Sequence, residues 1–182
     1  MRMKIMIKKC LVAAVLMCIC FTVSCINPLK NAIFSWFPDR QDQAVLDRTA
    51  IFAAVEGVDC IPNLSSYETA TLIDVIDGDS IRVAIQGSVF EVRYIGMNTP
   101  EYFSDQRQAA IDATEFNKDL LSSADIYLFK DISETDKYDR LLRYVIADGN
   151  FINLELIRSG RAQAKTYKPD VSCQSTFDRA NN

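Results

Sequence analysis

The middle of the chain alternates apolar and polar positions. Ala70–Ile76 is rich in β-branched residues and reads as a strand. Ser80–Ile85 and Val89–Ile95 follow with a period of two, and Gln86-Gly87-Ser88 between them is a hairpin signal. The period then changes. Ala109, Ile111, Ala113, Phe116, Leu120 and Leu121 recur near helical spacing, predicting a helix from Asp105 to about Leu121 capped by Ser104. Ala124–Lys130 and Leu141–Ala147 return to strand patterning, and Asp148-Gly149 reads as a turn. Ile152–Arg158 is a short helix stopped by Gly160, and Ser175–Ala180 starts a third. Five strands with interspersed helices predict an α+β domain around a partly closed five-stranded barrel.

The first residues follow a different pattern. Arg2, Lys4, Lys8 and Lys9 precede an apolar run of 14 residues, Cys10 to Val23, which is short for a membrane span and suits a signal-peptide core. The run ends Phe21-Thr22-Val23-Ser24-Cys25, similar to a bacterial lipoprotein cleavage site, although Thr22 stands where Leu is usual. Cys25 is then a candidate for lipidation; an ordinary signal peptide or an uncleaved anchor is the alternative. No sustained period runs through Pro28–Tyr67, where Asp47–Val58 is only weakly helical. This divides the chain into a signal segment (1–25), a linker (26–69) and a domain (70–182). It predicts export to the cell envelope or beyond, with a lipid anchor on the membrane.

Composition narrows the chemistry. From Ala70 onward thirteen Lys and Arg face eighteen Asp and Glu, so bulk charge does not hold a polyanion; a local basic cluster would have to. The chain has no His. Imidazole is excluded as base, switch or metal ligand, and catalysis falls to carboxylates. Cys10, Cys18 and Cys20 lie in the signal-like stretch, leaving Cys60 and Cys173 to bridge in an oxidising compartment or to remain two free thiols.

The stretch from Asp77 to Glu101 concentrates the candidate chemistry. A carboxylate-rich turn, Asp77-Gly78-Asp79, is followed by the hairpin and then by Asn98-Thr99-Pro100-Glu101. A hairpin brings its ends together, so oxygen ligands, the Arg93 guanidinium and the Glu101 carboxylate should converge. Such a set suits a hard cation and a phosphate.

Four runs in order, VIDGDS, VRYIGMNTPE, DKYDR and INLELIRSG followed by YKP, resemble the thermonuclease (staphylococcal-nuclease-like) family over about Ala70–Pro169. The resemblance implies an OB-fold barrel with helices. It further implies a calcium-dependent phosphodiesterase on DNA and RNA that leaves 5′-hydroxyl and 3′-phosphate ends. By position, Asp79 carries over as a Ca²⁺ ligand with Asp77 as an outer neighbour, and Thr99 through its carbonyl. Asn98 occupies the family's second metal-ligating Asp position, which implies weaker metal binding. Glu101 carries over as the residue that activates water, and Arg93 and Arg140 as the guanidinia on the scissile phosphate. Lys137, Tyr138 and Tyr167 match contacts to phosphate and nucleotide. Lys165 replaces a second family tyrosine and, with Lys168, adds positive potential. Asp139 stands where Gly is common, and the last helix is shorter than usual. Two rivals remain: a silent nucleic-acid-binding barrel, and an envelope module that binds protein.

Overall fold

Residues 48–122 and 125–181 are described by the computed structural model; the signal-like stretch and Cys25 lie outside the described residues. The strands are β1 (Glu68–Asp77), β2 (Ser80–Ile85), β3 (Ser88–Tyr94), β4 (Met97–Asn98), β5 (Ile126–Phe129), β6 (Leu141–Ala147), β7 (Asn150–Phe151) and β8 (Gln163–Ala164). The α-helices that follow the first hairpin are α1 (Arg107–Leu121), α2 (Ile152–Arg158) and α3 (Gln174–Ala180).

The main sheet runs β3-β2-β1-β5-β6-β7, and a parallel pairing of β3 with β6 joins its two sides into a closed five-stranded barrel. β1 serves both halves: Thr71–Asp77 pairs with β2 and Glu68–Ala70 with β5. Two irregularities of register, at Leu72/Asp74 and Val75/Asp77, fall within the stretch paired with β2, where such bulges bend and twist a strand. The hairpin between β2 and β3 turns on Gln86 (φ 49°) and Gly87 (φ 86°). A two-residue turn with both φ positive matches the twist of its strands, and glycine adopts it without steric cost.

Ile81, Val83, Val92, Ile126, Leu128 and Val145 fill the barrel and are essentially inaccessible. Asn153 pins α2 to the barrel wall: its Oδ1 accepts from Val145 N (2.9 Å) and its Nδ2 donates to Ile95 O (3.0 Å). α3 is short but buries Phe177 against the turn at Gly96 (φ 77°), where a Cβ would lie 2.5 Å from the ring. A disulfide joins Cys60 to Cys173, just before α3.

The structure departs from the sequence reading in four places. Part of the segment read as linker belongs to the core. Residues 48–53 are helical, and Phe52, Val55, Val58 and Ile61 are buried. The Phe52 ring packs edge-on to Tyr127 (4.8 Å) and Phe129 (5.2 Å), so the folded unit starts well before residue 70. α1 starts at Arg107, without a side-chain cap. Ser104 instead accepts from Gln106 N (3.1 Å) and donates to Glu101 O (2.7 Å). The strand read as Val89–Ile95 runs Ser88–Tyr94, so Ile95 falls in the turn after it, where it is buried. The short pair β4–β8 and strand β7, two residues each, carry too little periodicity to be read in advance.

Candidate active site

The first corner of the site is the turn between β1 and β2. Asp79 N donates to Asp77 Oδ1 (3.0 Å), closing an Asx turn. Gly78 lets that turn sit against its neighbours: a Cβ there would come within 2.7 Å of Thr99 Cγ2 and 2.8 Å of Ala113 Cβ. Gly78→Ala should therefore destabilise by about 1–3 kcal/mol through overpacking. The measurement is a denaturant midpoint, and an unchanged midpoint would show that the contact yields freely.

Asp79 is buried and saturated. Its Oδ2 accepts from Thr99 N (2.8 Å) and Thr99 Oγ1 (2.9 Å). Its Oδ1 accepts from Ser80 Oγ (3.2 Å) and pairs with Arg93 Nη1 (2.8 Å). Arg93 also donates through Nη2 to Asn98 Oδ1 (2.9 Å) and Met97 O (3.2 Å), while Asn98 Nδ2 donates to Thr99 O (2.9 Å). Thus the hairpin brings Asp79, Arg93, Asn98 and Thr99 into one network. Both Arg93 terminal nitrogens already have partners.

A cleft of roughly 600 Å³ opens beside this network. Asp79, Arg93, Asn98 and Glu101 line one part of it, and Lys137, Tyr138, Arg140, Tyr167 and Lys168 another. Lys165 and Thr99 do not line it. The loop before β6 is built around Asp136. Its Oδ1 accepts from Tyr138 N (2.9 Å) and Arg140 N (3.1 Å), and its Oδ2 from Arg140 Nε (2.9 Å) and Nη2 (2.7 Å). Asp139 takes a left-handed conformation (φ 63°), which Asp tolerates better than most residues. Burial alone would raise the Asp136 pKa, but the Arg140 side chain and the two backbone amides outweigh it and hold it low. Arg140 is thereby clamped on one edge, with Nη1 unused by Asp136. Tyr138 is exposed, with Lys137 Nζ 4.8 Å above its ring.

Five carboxylates line the cleft, and four have partners. Asp77 holds the Asp79 amide, Asp79 pairs with Arg93, and Asp136 clamps Arg140. Asp170 accepts from Ile132 N (2.9 Å) and Ser133 N (2.7 Å). Among the described residues, no hydrogen bond or ion pair engages the Glu101 carboxylate, although Ser104 holds its carbonyl. Glu101 is the one of the five whose carboxylate has no partner among the described residues.

The donor set fits a hard divalent cation held loosely. Asn98 Oδ1 and the Thr99 carbonyl each keep a lone pair beyond the present contact, whereas each Asp79 oxygen already meets two donors, one of which a bound cation would replace. Burial and then the charge of Asp79 raise the Asp77 pKa, a crowding of negative charge that a cation would relieve. Yet Arg93 already offsets Asp79, and Asn98 adds no charge. Among the described residues, no cluster of three or more Asp, Glu or Cys is placed to hold a metal.

Three supporting residues escaped the sequence reading. Asp136 and Asp170 were overlooked, although Asp136 stands four residues before the arginine it clamps. Asn117 is wholly buried on α1, where its Oδ1 accepts from Tyr94 Oη (3.0 Å) and its Nδ2 donates to Asp77 O (3.1 Å). Its signal was a polar residue in step with Ala110, Ala113 and Leu121 on an otherwise apolar face.

A family model described as Staphylococcal nuclease homologue matches residues 91–182, so Arg93, Asn98, Glu101 and Arg140 fall within it and Asp79 precedes it. Among individual proteins, the chain is 34% identical over 119 residues to a thermonuclease of Staphylococcus hyicus, covering 64% of this chain and 70% of that one. It is 35% identical over 120 residues to endonuclease YncB of Bacillus subtilis (strain 168), covering 63% of this chain and 57% of that one. It is 35% identical over 114 residues to the SPbeta prophage-derived endonuclease YokF of the same organism, covering 60% of this chain but 38% of that longer one.

Proposed function

The chain belongs to the Staphylococcal nuclease homologue family, and from that premise we propose that it is a calcium-dependent nuclease that hydrolyses phosphodiester bonds of DNA and RNA. The observation that carries the reading is the free Glu101 carboxylate in a cleft shared with Arg93 and Arg140. In the proposed reaction Glu101 takes a proton from a water. The water oxygen bonds to phosphorus, the bond from phosphorus to the 5′ oxygen breaks, and that oxygen takes a proton from solvent. A 5′-hydroxyl and a 3′-phosphate result. Charge builds on the non-bridging oxygens during transfer, where guanidinium donors stabilise it. Arg140 is the better placed donor, since Asp136 holds one edge and leaves Nη1. Arg93 would meet phosphate through Nε, or by giving up one of its carbonyl contacts near 3.4 Å. Lys137, Tyr138 and Tyr167 form the basic, aromatic flank that an otherwise acidic domain needs to hold a polyanion.

Asp79, Asn98 and Thr99 would hold calcium, whose charge when bound offsets that of the phosphate. The Cys60–Cys173 disulfide supports export, since such bonds persist in oxidising compartments. The test is digestion of single-stranded DNA over a calcium titration, for wild type and Asn98→Asp. Wild type is expected to need more calcium than the aspartate variant and to stop in chelator. Equal digestion in calcium and chelator would remove the metal role, and equal calcium dependence of the two proteins would remove the role of Asn98.

A further inference from the structure

A second cleft, of roughly 490 Å³, lies between the 99–103 loop and α1. Asp77, Asp79 and Glu101 line both clefts, so the two meet at the candidate catalytic carboxylates. The second also carries Tyr102, Phe103 and Lys118. Phe103 is 99% exposed, with nothing among the described residues covering it, and Tyr102 is 43% exposed. The two rings meet edge to face with centroids 5.2 Å apart. The Arg107 guanidinium lies over the Tyr102 ring at 4.6 Å and donates to its hydroxyl.

We propose that Tyr102, Phe103 and Arg107 form a stacking subsite for an unpaired nucleobase of the substrate, on the side of the scissile phosphate opposite Tyr138 and Tyr167. This rests on the nuclease reading above and deepens it by naming the residues that would take a base beyond the first cleft. A polynucleotide held at Glu101 continues in both directions, and the first cleft supplies aromatic and basic groups for only one of them. A bare phenylalanine beside an amphipathic tyrosine offers a π-face to any base, and Arg107 supplies positive charge for the adjoining backbone, whereas Lys118 in the same cleft is paired with Glu115 (2.8 Å). A base inside a duplex has no free face to give, so the subsite selects single strands, loops and frayed ends. The exposure of Phe103 makes it a suitable probe, since its removal takes no packing from the core.

The experiment is equilibrium binding of a labelled single-stranded oligonucleotide, and of the same sequence as a duplex, by fluorescence anisotropy in chelator. Wild type, Phe103→Ala, Tyr102→Ala and Glu101→Gln are compared. Wild type and Glu101→Gln should prefer the single strand. Phe103→Ala and Tyr102→Ala should each weaken single-strand binding about five- to fifty-fold, as expected for loss of one stacked base, and erase most of that preference. In calcium, Phe103→Ala should raise KM on the single strand far more than it lowers kcat. Unaltered single-strand binding by Phe103→Ala overturns the proposal. So does a variant that binds both nucleic acids normally but no longer adsorbs to anionic lipid vesicles, which would make the exposed ring a membrane contact. Because binding is read without turnover, stacking by a wild type that cleaves nothing would sink the nuclease reading and leave the subsite standing.

Discussion

Replacing Glu101 with Gln should slow phosphodiester hydrolysis by about a hundred- to ten-thousand-fold, the range over which a positioned general base acts. The substitution keeps the shape and removes only the ability to accept a proton. Folding should be untouched, because among the described residues no contact depends on the Glu101 carboxylate. The neighbouring acids are poor substitutes. Asp79 is committed to Thr99, Ser80 and Arg93, and Asp136 to Arg140 and two amides. The measurement is the single-turnover rate on a labelled oligonucleotide at saturating calcium, with a thermal melt as control. A Gln variant within tenfold of wild type would move the base to another group, or to solvent.

The second large effect concerns stability. Cys60 and Cys173 close a loop of 113 residues, and their removal as Cys60→Ala/Cys173→Ala should cost roughly 3–5 kcal/mol in the chain-entropy account. The bond also tethers the start of α3 to the segment whose Phe52 and Val58 enter the core. α3 has only seven residues and one fully buried side chain, Phe177, so it brings little burial of its own. Chemical denaturation of the oxidised protein and of the double variant gives the difference. Coincident curves would show that packing alone holds both ends.

How much of this was legible in the chain depended on the range of the interaction. β2, β6 and α2 were readable to the residue, because their patterns are local and their stops are turns and Gly160. The convergence of Asp79 with the Asn98–Glu101 loop was legible because a hairpin is itself local. The burial of Phe52 and Val55 was not, since it is decided by Tyr127 and Phe129 far along the chain. The Arg93–Asn98 hydrogen bond was hidden for a like reason: side-chain identity gives no hint of which oxygen a guanidinium will choose. Asn98 was read as a metal ligand, and its side-chain oxygen also accepts from Arg93, a contact that no pattern in the chain announces.

The parallel pairing of β3 with β6 has a consequence for biogenesis. Arg93 lies opposite Leu142, so the barrel stays open until β6, about fifty residues further along, has been made. The last clasp waits for Cys173, which lies beyond every strand of the barrel, and for an oxidant. Arg93 on β3 and Arg140 just before β6 therefore share a cleft only once that late strand has docked.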